Sequence, residues 1–287
     1  MVDIEIRIPQ RDFTIIRDLI SERTGIYIRD TRNDYLEYRI RERMIANSLT
    51  NVEEYYYYLK YSPTTSGEFQ ELINLITVHE TSFFRNPEQL ESFKNILLKE
   101  AGERKAKEGD KTFRIWSAAC SSGEEPVTLS IILNELFPTL LGWTHELLAT
   151  DISTNILKTA KTGIFPDYRM ENFPVNLRQK YFKNNGSNLE VIDSIKNDIT
   201  YSQLNLSTGI GGFMADRRKK FDFVFCRNVF IYFPDEVKEK ISKSIFDMLA
   251  PGGYLLLGNA ESVDVRKVPF KMTFQPGGMI YQKPELK

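Results

Sequence analysis

The chain has 287 residues, 41% of them apolar and 12% aromatic, so it can bury the core of one large domain or two ordinary ones. Its formal net charge of −1 at pH 7 argues against overall electrostatic attraction to nucleic acid. Only two cysteines and two histidines occur, without a CxxC or HExxH pattern, which indicates reduced thiols and argues against a metal site.

The first 80 residues predict helices and no membrane insertion. Residues 1–13 lack the continuous apolar segment that a secretory signal peptide contains. The sequence also has no run of about 18 apolar residues, the length needed for a membrane-spanning helix. We therefore expect a soluble cytoplasmic protein. Apolar side chains recur at helical spacing around Ile16, Ile40 and Ile73. We therefore assign residues 1–80 to an all-helical domain.

A different pattern begins near residue 112. Residues 81–111 end in a polar, charged stretch and are predicted to be a linker. Beyond them, short apolar runs alternate with segments of helical length, which is typical of a mostly parallel sheet covered on both faces. The predicted strands are Thr112–Ala118, Glu146–Thr150, Phe221–Cys226, Tyr254–Gly258 and, in antiparallel orientation, Met279–Lys283. Residues 112–287 are therefore predicted to form an α/β domain.

The first predicted strand runs into the sequence WSAACSSGEEP, residues 116–126. Small residues around Gly123 would let the backbone approach a ligand closely, as in Rossmann-like folds. Glu124 and Glu125 follow at the start of a helix, where they would repel a phosphate and attract a cation. S-adenosylmethionine carries an ammonium and a sulfonium and no phosphate, so it suits this loop. The alternative is that both glutamates only complement the helix dipole.

Polar residues follow two further strands, at the sheet edge where ligands bind in open α/β folds. Asp151 ends the second strand; an acid there commonly holds ribose hydroxyls, although aspartate is also a good helix N-cap. Arg227 and Asn228 follow the strand at 221–226, and Tyr232 comes soon after. Taken alone, Asn228 is explained better by an ordinary strand-to-helix turn than by a ligand contact.

A fourth candidate segment, VHETSFFRNPE at residues 78–88, joins the helical domain to the sheet domain. Arg85 beside Thr81 could face a cleft between the two domains. Taken alone, Arg85 is explained better as a surface or ion-pair residue.

The motifs HETSFFR, WSAACSSGEEP, ATDIS, FCRNVFIYF and APGGYLLLG, in this order, resemble the chemotaxis receptor methyltransferases of the CheR family over almost the whole chain. The resemblance implies a helical receptor-binding domain at 1–80, a linker at 81–111 and, at 112–287, a class I, Rossmann-like methyltransferase sheet. A small antiparallel insert would lie at about 163–202. The implied activity is methyl transfer from S-adenosylmethionine to glutamate side chains of chemotaxis-type receptors, with S-adenosylhomocysteine as the second product.

The resemblance also implies roles for individual residues. Arg85 and Tyr232 would lie at the reaction centre. The implied cofactor contacts are His79, Thr81, Arg85, Glu125, Asp151, Asn205, Leu206, Arg227 and Asn228. His79 departs from the family pattern, because many relatives have asparagine at this position.

A receptor-binding surface is predicted on a helix through residues 32–45. Arg32, Arg39 and Arg43 would line one stripe beside the apolar face of that helix. A basic stripe suits the acidic methylation helices of a receptor bundle. A solvated charged face with local ion pairs is the alternative.

The insert carries a short turn, NNGSN at Asn184–Asn188. Relatives that dock on a C-terminal receptor pentapeptide have a longer glycine-containing loop there, so we expect a pentapeptide-independent enzyme. We further expect a metal-free monomer that acts on the cytoplasmic helical bundle of methyl-accepting receptors, without binding nucleic acid or inserting into the membrane.

Two alternatives remain on the same fold. One is a nucleic-acid methyltransferase, whose amino-methylating members usually have NPPY or DPPY after the fourth strand, where this chain has RNVFIYF. A non-enzymatic signalling module would bind S-adenosylmethionine without transferring its methyl group; the retention of every motif argues against it.

Overall fold

The computed structural model describes residues 8–63, 67–136, 142–170, 173–214 and 219–285. The predicted domains also include residues 1–7, 64–66, 137–141, 171–172, 215–218 and 286–287, which lie outside the described residues. Among the described helices, none is both long and apolar enough to cross a bilayer.

The described residues of the N-terminal domain contain the α-helices α1 (Gln10–Thr24), α2 (Asn33–Ala46), α3 (Val52–Tyr61) and α4 (Gly67–Ile76). Ile16, Ile40 and Ile73 are buried together in its core, as their helical spacing predicts. Asn51 caps α3, because its side chain accepts hydrogen bonds from the first backbone amides of that helix. The predicted all-helical character of this part of the chain is confirmed.

A buried carboxylate joins three of these helices. The Glu68 carboxylate accepts two hydrogen bonds from the Arg43 guanidinium, at 2.9 and 2.6 Å. It also accepts from the Asn47 amide at 2.7 Å and from the Tyr55 hydroxyl at 2.9 Å. Because a buried charge is tolerated only when it is paired, these donors fix the mutual positions of α2, α3 and α4.

The predicted linker, residues 81–111, is largely helical. It contains α5 (Pro87–Ser92), a π-helical turn (Phe93–Leu97) and α6 (Leu98–Lys107). The ring of Phe93 packs edge-on against Phe223 and Phe225 of the sheet, with ring centroids 5.0 and 5.1 Å apart. This segment is thus built into the core of the second domain, and its charged residues cover the outer face of an amphipathic helix.

Ten strands follow. They are β1 (Thr112–Ala118), β2 (Thr144–Asp151), β3 (Ile164–Pro166), β4 (Phe182–Asn185), β5 (Asn188–Val191), β6 (Ile199–Gln203), β7 (Phe221–Cys226), β8 (Leu249–Leu257), β9 (Lys271–Gln275) and β10 (Gly278–Gln282). Seven form one sheet in the order β6-β2-β1-β7-β8-β10-β9. The first five in this order are parallel, and β10 runs antiparallel to both of its neighbours. The predicted class I methyltransferase sheet is confirmed.

Helices cover both faces of this sheet. They include α7 (Glu124–Leu136), α8 (Thr154–Thr162), α10 (Asp193–Asn197), α11 (Ile210–Met214) and α12 (Asp235–Met248), whereas α9 (Val175–Tyr181) packs against β4. Alternate residues of the central strands enter two separate core clusters: Ile115 and Phe223 belong to one, Trp116 and Val224 to the other. Burial on both faces explains the nearly continuous apolar runs of these strands.

A three-stranded antiparallel sheet, ordered β3-β5-β4, is inserted between α8 and β6. Along the chain, β5 is the last strand of this small sheet and ends at Val191. The next strand, β6 (Ile199–Gln203), pairs with β2 in the main sheet. The predicted insert, at about 163–202, thus overlaps β6 of the main sheet. The hairpin between β4 and β5 turns at Gly186, which has a φ of 62°.

Candidate active site

A cavity of about 290 Å³ lies between the two domains, at the carboxyl ends of β1, β2, β6 and β7. All of the predicted cofactor and catalytic residues line it: His79, Thr81, Arg85, Glu125, Asp151, Asn205, Leu206, Arg227, Asn228 and Tyr232. The helical domain contributes further wall residues, including Tyr27 and Arg32. The residues that the sequence motifs single out are thus brought together at one place.

The loop between β1 and α7 forms the floor of the cavity. Ala119, Ser121 and Gly123 all have positive φ angles, of 64°, 51° and 98°. A Cβ at Gly123 would lie 3.1 Å from the Cβ of Ala160, so a larger residue would crowd the helix behind it. The tight backbone path brings the amide of Ser121 to within 2.9 Å of a carboxylate oxygen of Asp151.

The two glutamates of this loop have different surroundings. Glu124 is fully buried; it accepts a 2.6 Å hydrogen bond from the Ser122 hydroxyl and is paired with Arg169 of the insert. Glu125 faces the cavity, where it accepts a 2.6 Å hydrogen bond from the Ser117 hydroxyl. Burial raises the pKa of Glu125, and the nearby guanidinium of Arg227 opposes this rise.

Asp151 is held by backbone amides on both of its carboxylate oxygens. Ser121 donates to Oδ2 at 2.9 Å, and Ser153 donates to Oδ1 at 3.0 Å. Burial raises the pKa of this carboxyl group, while the nearby His79 opposes the rise. Burial also lowers the pKa of His79, whose Nε2 lies 3.0 Å from the Thr77 hydroxyl.

The turn after β7 carries Arg227 and Asn228. The Arg227 guanidinium donates to the carbonyl of Arg85, and its Nε lies 3.5 Å from a carboxylate oxygen of Glu125. Asn228 has a φ of 58°, and its backbone amide donates to Glu261 at 2.7 Å. The turn is therefore rigidly defined, with one ionic and several backbone contacts.

Glu261 lies behind the cavity wall and supports it, and the motifs do not single it out. Its carboxylate also accepts hydrogen bonds from the amides of Phe230 and Gly258, each at 2.7 Å. It therefore ties the end of β8 to the turn after β7. The same strand-end rule that indicates Asp151 would indicate Glu261, since it follows β8 within a few residues.

Ser121 Oγ and Asn228 Oδ1, which belong to residues that line the cavity, are buried and have no hydrogen-bond partner within the described protein. Buried polar groups are nearly always satisfied, so these atoms indicate a place for a polar ligand. Glu125 and Asp151 add acceptors for an ammonium group and for hydroxyls. These residues fit S-adenosylmethionine.

Of two further predicted residues, Asn205 connects the two domains and Arg85 makes a contact within its own segment. The Asn205 side-chain amide donates to the carbonyl of Arg23 at the end of α1, at 2.8 Å. The Arg85 guanidinium donates to the carbonyl of Glu80 at 3.1 Å. Residues 26–29 pass along the cavity, where the amide of Tyr27 donates to the carbonyl of Tyr232 at 2.8 Å. We call residues 26–29 the strap.

The three predicted receptor-binding arginines have different environments. Arg32 lines the cavity, and its charge partly offsets the burial that raises the pKa of Tyr232. Arg39 lies outside the cavity and forms a 2.7 Å ion pair with Glu42. Arg43 forms an ion pair with the buried Glu68 carboxylate inside the helical domain. No group of three or more histidine, cysteine, aspartate or glutamate side chains suited to a metal ion occurs among the described residues.

Comparisons with known proteins agree with this geometry. The family model for the CheR methyltransferase SAM binding domain matches residues 79–278, and the model for the CheR all-alpha domain matches residues 11–77. A chemotaxis protein methyltransferase 2 of Vibrio cholerae is 35% identical over 90% of this chain and 88% of its own length. A chemotaxis protein methyltransferase of Borreliella burgdorferi is 30% identical over 91% of each chain. This protein belongs to the CheR family of S-adenosylmethionine-dependent methyltransferases.

Proposed function

We propose that the protein transfers a methyl group from S-adenosylmethionine to glutamate side chains of chemotaxis-type receptors and forms glutamate methyl esters. The observation that carries this proposal is the cavity shared by the two domains. Its floor offers carboxylates to a cationic cofactor, and its other wall belongs to the helical domain that would meet a protein substrate. The names of the relatives as chemotaxis protein methyltransferases support a receptor as that substrate.

The chemistry requires orientation more than proton transfer. A glutamate carboxylate has a pKa of about 4.3, so at neutral pH it is already a nucleophile and needs no general base. When bound, S-adenosylmethionine supplies a methyl group activated by its positively charged sulfur. Positioning can contribute on the order of 7–11 kcal/mol to lowering such a barrier.

We propose that Arg85 and Tyr232 orient the incoming carboxylate. Opposite charges meet in this reaction, so a tight cationic clamp on the nucleophile would slow it. The Arg85 guanidinium already donates to the carbonyl of Glu80, which limits its hold on a substrate and suits an orienting role. His79, Thr81, Glu125, Asp151, Asn205, Leu206, Arg227 and Asn228 would hold the cofactor.

The test is incubation of the protein with radiolabelled S-adenosylmethionine and receptor-containing membranes, followed by alkaline treatment. Label released as volatile methanol identifies carboxyl methyl esters. Base-stable label would contradict ester formation. Cofactor binding without any transfer to receptors would favour the non-enzymatic binding module.

We further propose that catalysis is metal-free and that the protein acts as a cytoplasmic monomer that does not bind nucleic acid. Calorimetric titration with S-adenosylmethionine in the presence of a chelator is expected to give the same affinity as in its absence. Loss of binding in the chelator would overturn the metal-free proposal.

A further inference from the structure

Two buried amides of the helical domain reach into the second domain beside the cofactor cavity. Gln70 and Asn74 lie one turn apart on α4 and are only 3% and 8% exposed. The Gln70 side-chain amide donates to Asn74 Oδ1 at 3.0 Å and to the carbonyl of Ile152 at 3.1 Å. Gln203, the last residue of β6, donates to Gln70 Oε1 at 2.6 Å.

Asn74 is placed at the start of α8. Its Oδ1 accepts a hydrogen bond from the Ser153 hydroxyl at 3.0 Å, and its amide donates to the Thr154 hydroxyl at 3.0 Å. The backbone amide of Asn155 points at the same oxygen, at 3.5 Å. Ser153 is itself the N-cap of α8. Two side chains from the helical domain thus hold every residue from 152 to 155.

The segment that they hold adjoins Asp151. The amide of Ser153 donates to Asp151 Oδ1, and the backbone carbonyl of Asp151 accepts from Leu204 at 2.9 Å, one residue beyond Gln203. A displacement of residues 152–155 would therefore move one of the two amides that orient the carboxylate. The position of Asp151 depends on contacts from the loop after β1, from the end of β6 and from α4.

Cohesion between the domains does not explain this choice of side chains. Apolar residues of similar shape would hold two surfaces together without the desolvation of four polar groups. Hydrogen bonds differ from apolar contacts in their demand for one direction and one register. The amides therefore serve to fix the geometry at the start of α8.

We propose that Gln70 and Asn74 are positioning residues for cofactor binding, which hold residues 152–155 and through them the Asp151 carboxylate. The helical domain is then part of the cofactor site as well as the proposed receptor-binding unit. This inference rests on the proposed function, with Asp151 holding the cofactor through its ribose hydroxyls, as expected of an acid at this strand end.

The test compares two ligands on the full chain by calorimetry: S-adenosylhomocysteine and its 2′,3′-dideoxyribose analogue. Asn74→Leu is expected to lower the affinity for S-adenosylhomocysteine about tenfold, because the Asp151 carboxylate would be misplaced. The affinity for the dideoxy analogue, which lacks the hydroxyls, should be nearly unchanged. Asn74→Asp keeps a side-chain oxygen that can accept hydrogen bonds from Ser153 and Asn155. Its affinity for S-adenosylhomocysteine should therefore be close to that of the wild type. Gln70→Met, which keeps the side-chain shape, serves as the second variant if Asn74→Leu does not fold.

Tyr55→Phe is the matched control, because it removes a buried hydrogen bond to Glu68 elsewhere in the helical domain. It should lower the melting temperature without changing the preference for the hydroxyl-bearing ligand. If the Asn74 and Gln70 variants weaken both ligands equally, or neither, while Asp151→Asn abolishes the preference, the positioning role is wrong and the ribose role of Asp151 stands. If Asp151→Asn leaves the preference intact, the proposed ribose contact fails, and the positioning role fails with it.

Discussion

Glu125 and Asp151 are acids whose ionised forms are disfavoured by burial, since the pKa of each lies above its usual value. Both face a cavity that suits a cation. A ligand bearing an ammonium group would favour the charged forms, and the ligand and the carboxylates would stabilise one another. The cost of burying these acids in the free protein is thus recovered when the cofactor binds.

This cost predicts a specific pH dependence for Glu125. A carboxyl group with a raised folded-state pKa contributes stability that is complete below its unfolded value of about 4.3 and is lost as the pH rises through the folded value. Glu125→Gln removes that loss. The melting temperature of the variant minus that of the wild type should therefore increase between about pH 4 and pH 7, in thermal unfolding without cofactor.

The exposed Glu236→Gln variant is the matched control for this series, and it should not reproduce the trend. A difference between Glu125→Gln and wild type that is flat, or that decreases with rising pH, would show that burial does not govern this carboxyl group.

Single residues at strand ends could be predicted from the sequence, and their partners could not. Asp151 and Arg227 stand directly after apolar runs, so the strand-end rule locates them. The separate roles of Glu124 and Glu125 depend on Arg169 in the insert and on Arg227, which are distant in sequence. Only the folded chain brings these charges together.

At the scale of elements, helix α2 carries one arginine that stabilises the fold and one that is proposed to contact the receptor. Arg43 neutralises Glu68, whose side chain is 2% exposed, so Arg43→Met should lower the free energy of unfolding by roughly 3 kcal/mol. Arg39 is half-buried: it pairs with Glu42, and its guanidinium lies 5.0 and 5.4 Å from the ring centroids of Tyr35 and Tyr38. Arg39→Glu should therefore lower the free energy of unfolding by about 1 kcal/mol, leave cofactor affinity almost unchanged and slow receptor methylation, measured as an initial rate.

Arg41→Glu is the matched reversal, since it changes the same charge on a different side of α2. Added salt should slow the wild-type reaction, because exposed charges are screened over about 8 Å at physiological ionic strength. Normal methylation by Arg39→Glu would show that this side of α2 is only a solvated face.

The insert leads to a prediction about receptors. The β4–β5 hairpin has a short turn at Gly186, so no long loop stands over the edge of the small sheet. A peptide added to a sheet edge needs pockets for its side chains, and a short turn offers little wall for them. Receptors that lack their C-terminal residues should be methylated at the same rate as intact receptors.

Initial rates on paired membranes with full-length and truncated receptors provide the measurement. A steep decrease on truncation would identify the insert as a peptide-docking site and would make turn length a poor guide.

The central strands of the main sheet could be predicted from the sequence, and its two edge strands could not. β1 and β7 match their predicted bounds, because burial on both faces leaves continuous apolar runs. β6 and β9 are the two edge strands of the main sheet, and their mixed sequences ITYSQ and KMTFQ carry no such signal. The helix at α5 and α6 was obscured by its charged outer face.

At the scale of the whole molecule, the cavity makes both domains respond to one ligand. Saturation at about 100 times the dissociation constant should add about 2.7 kcal/mol to the free energy of unfolding. Because the strap and α4 contact the cavity or its supports, S-adenosylhomocysteine should slow hydrogen exchange in residues 26–29 and 67–76 as well as in the sheet. Protection confined to the sheet domain would contradict this coupling.

The contact between Asn74 and Thr154 spans 80 positions of sequence, which has a consequence during synthesis. Helices α1–α4 make local contacts and can fold as soon as they emerge, whereas a ribosome needs on the order of ten seconds to add the residues against which α4 packs. Throughout that interval, the docking face of α4 is exposed to water. The amide side chains of Gln70 and Asn74 can hydrogen-bond to water on this face. Leucines at the same positions would leave an exposed apolar patch that promotes aggregation of the nascent chain. We therefore expect Gln70 and Asn74, besides their proposed positioning role, to lower the tendency of the unfinished chain to aggregate.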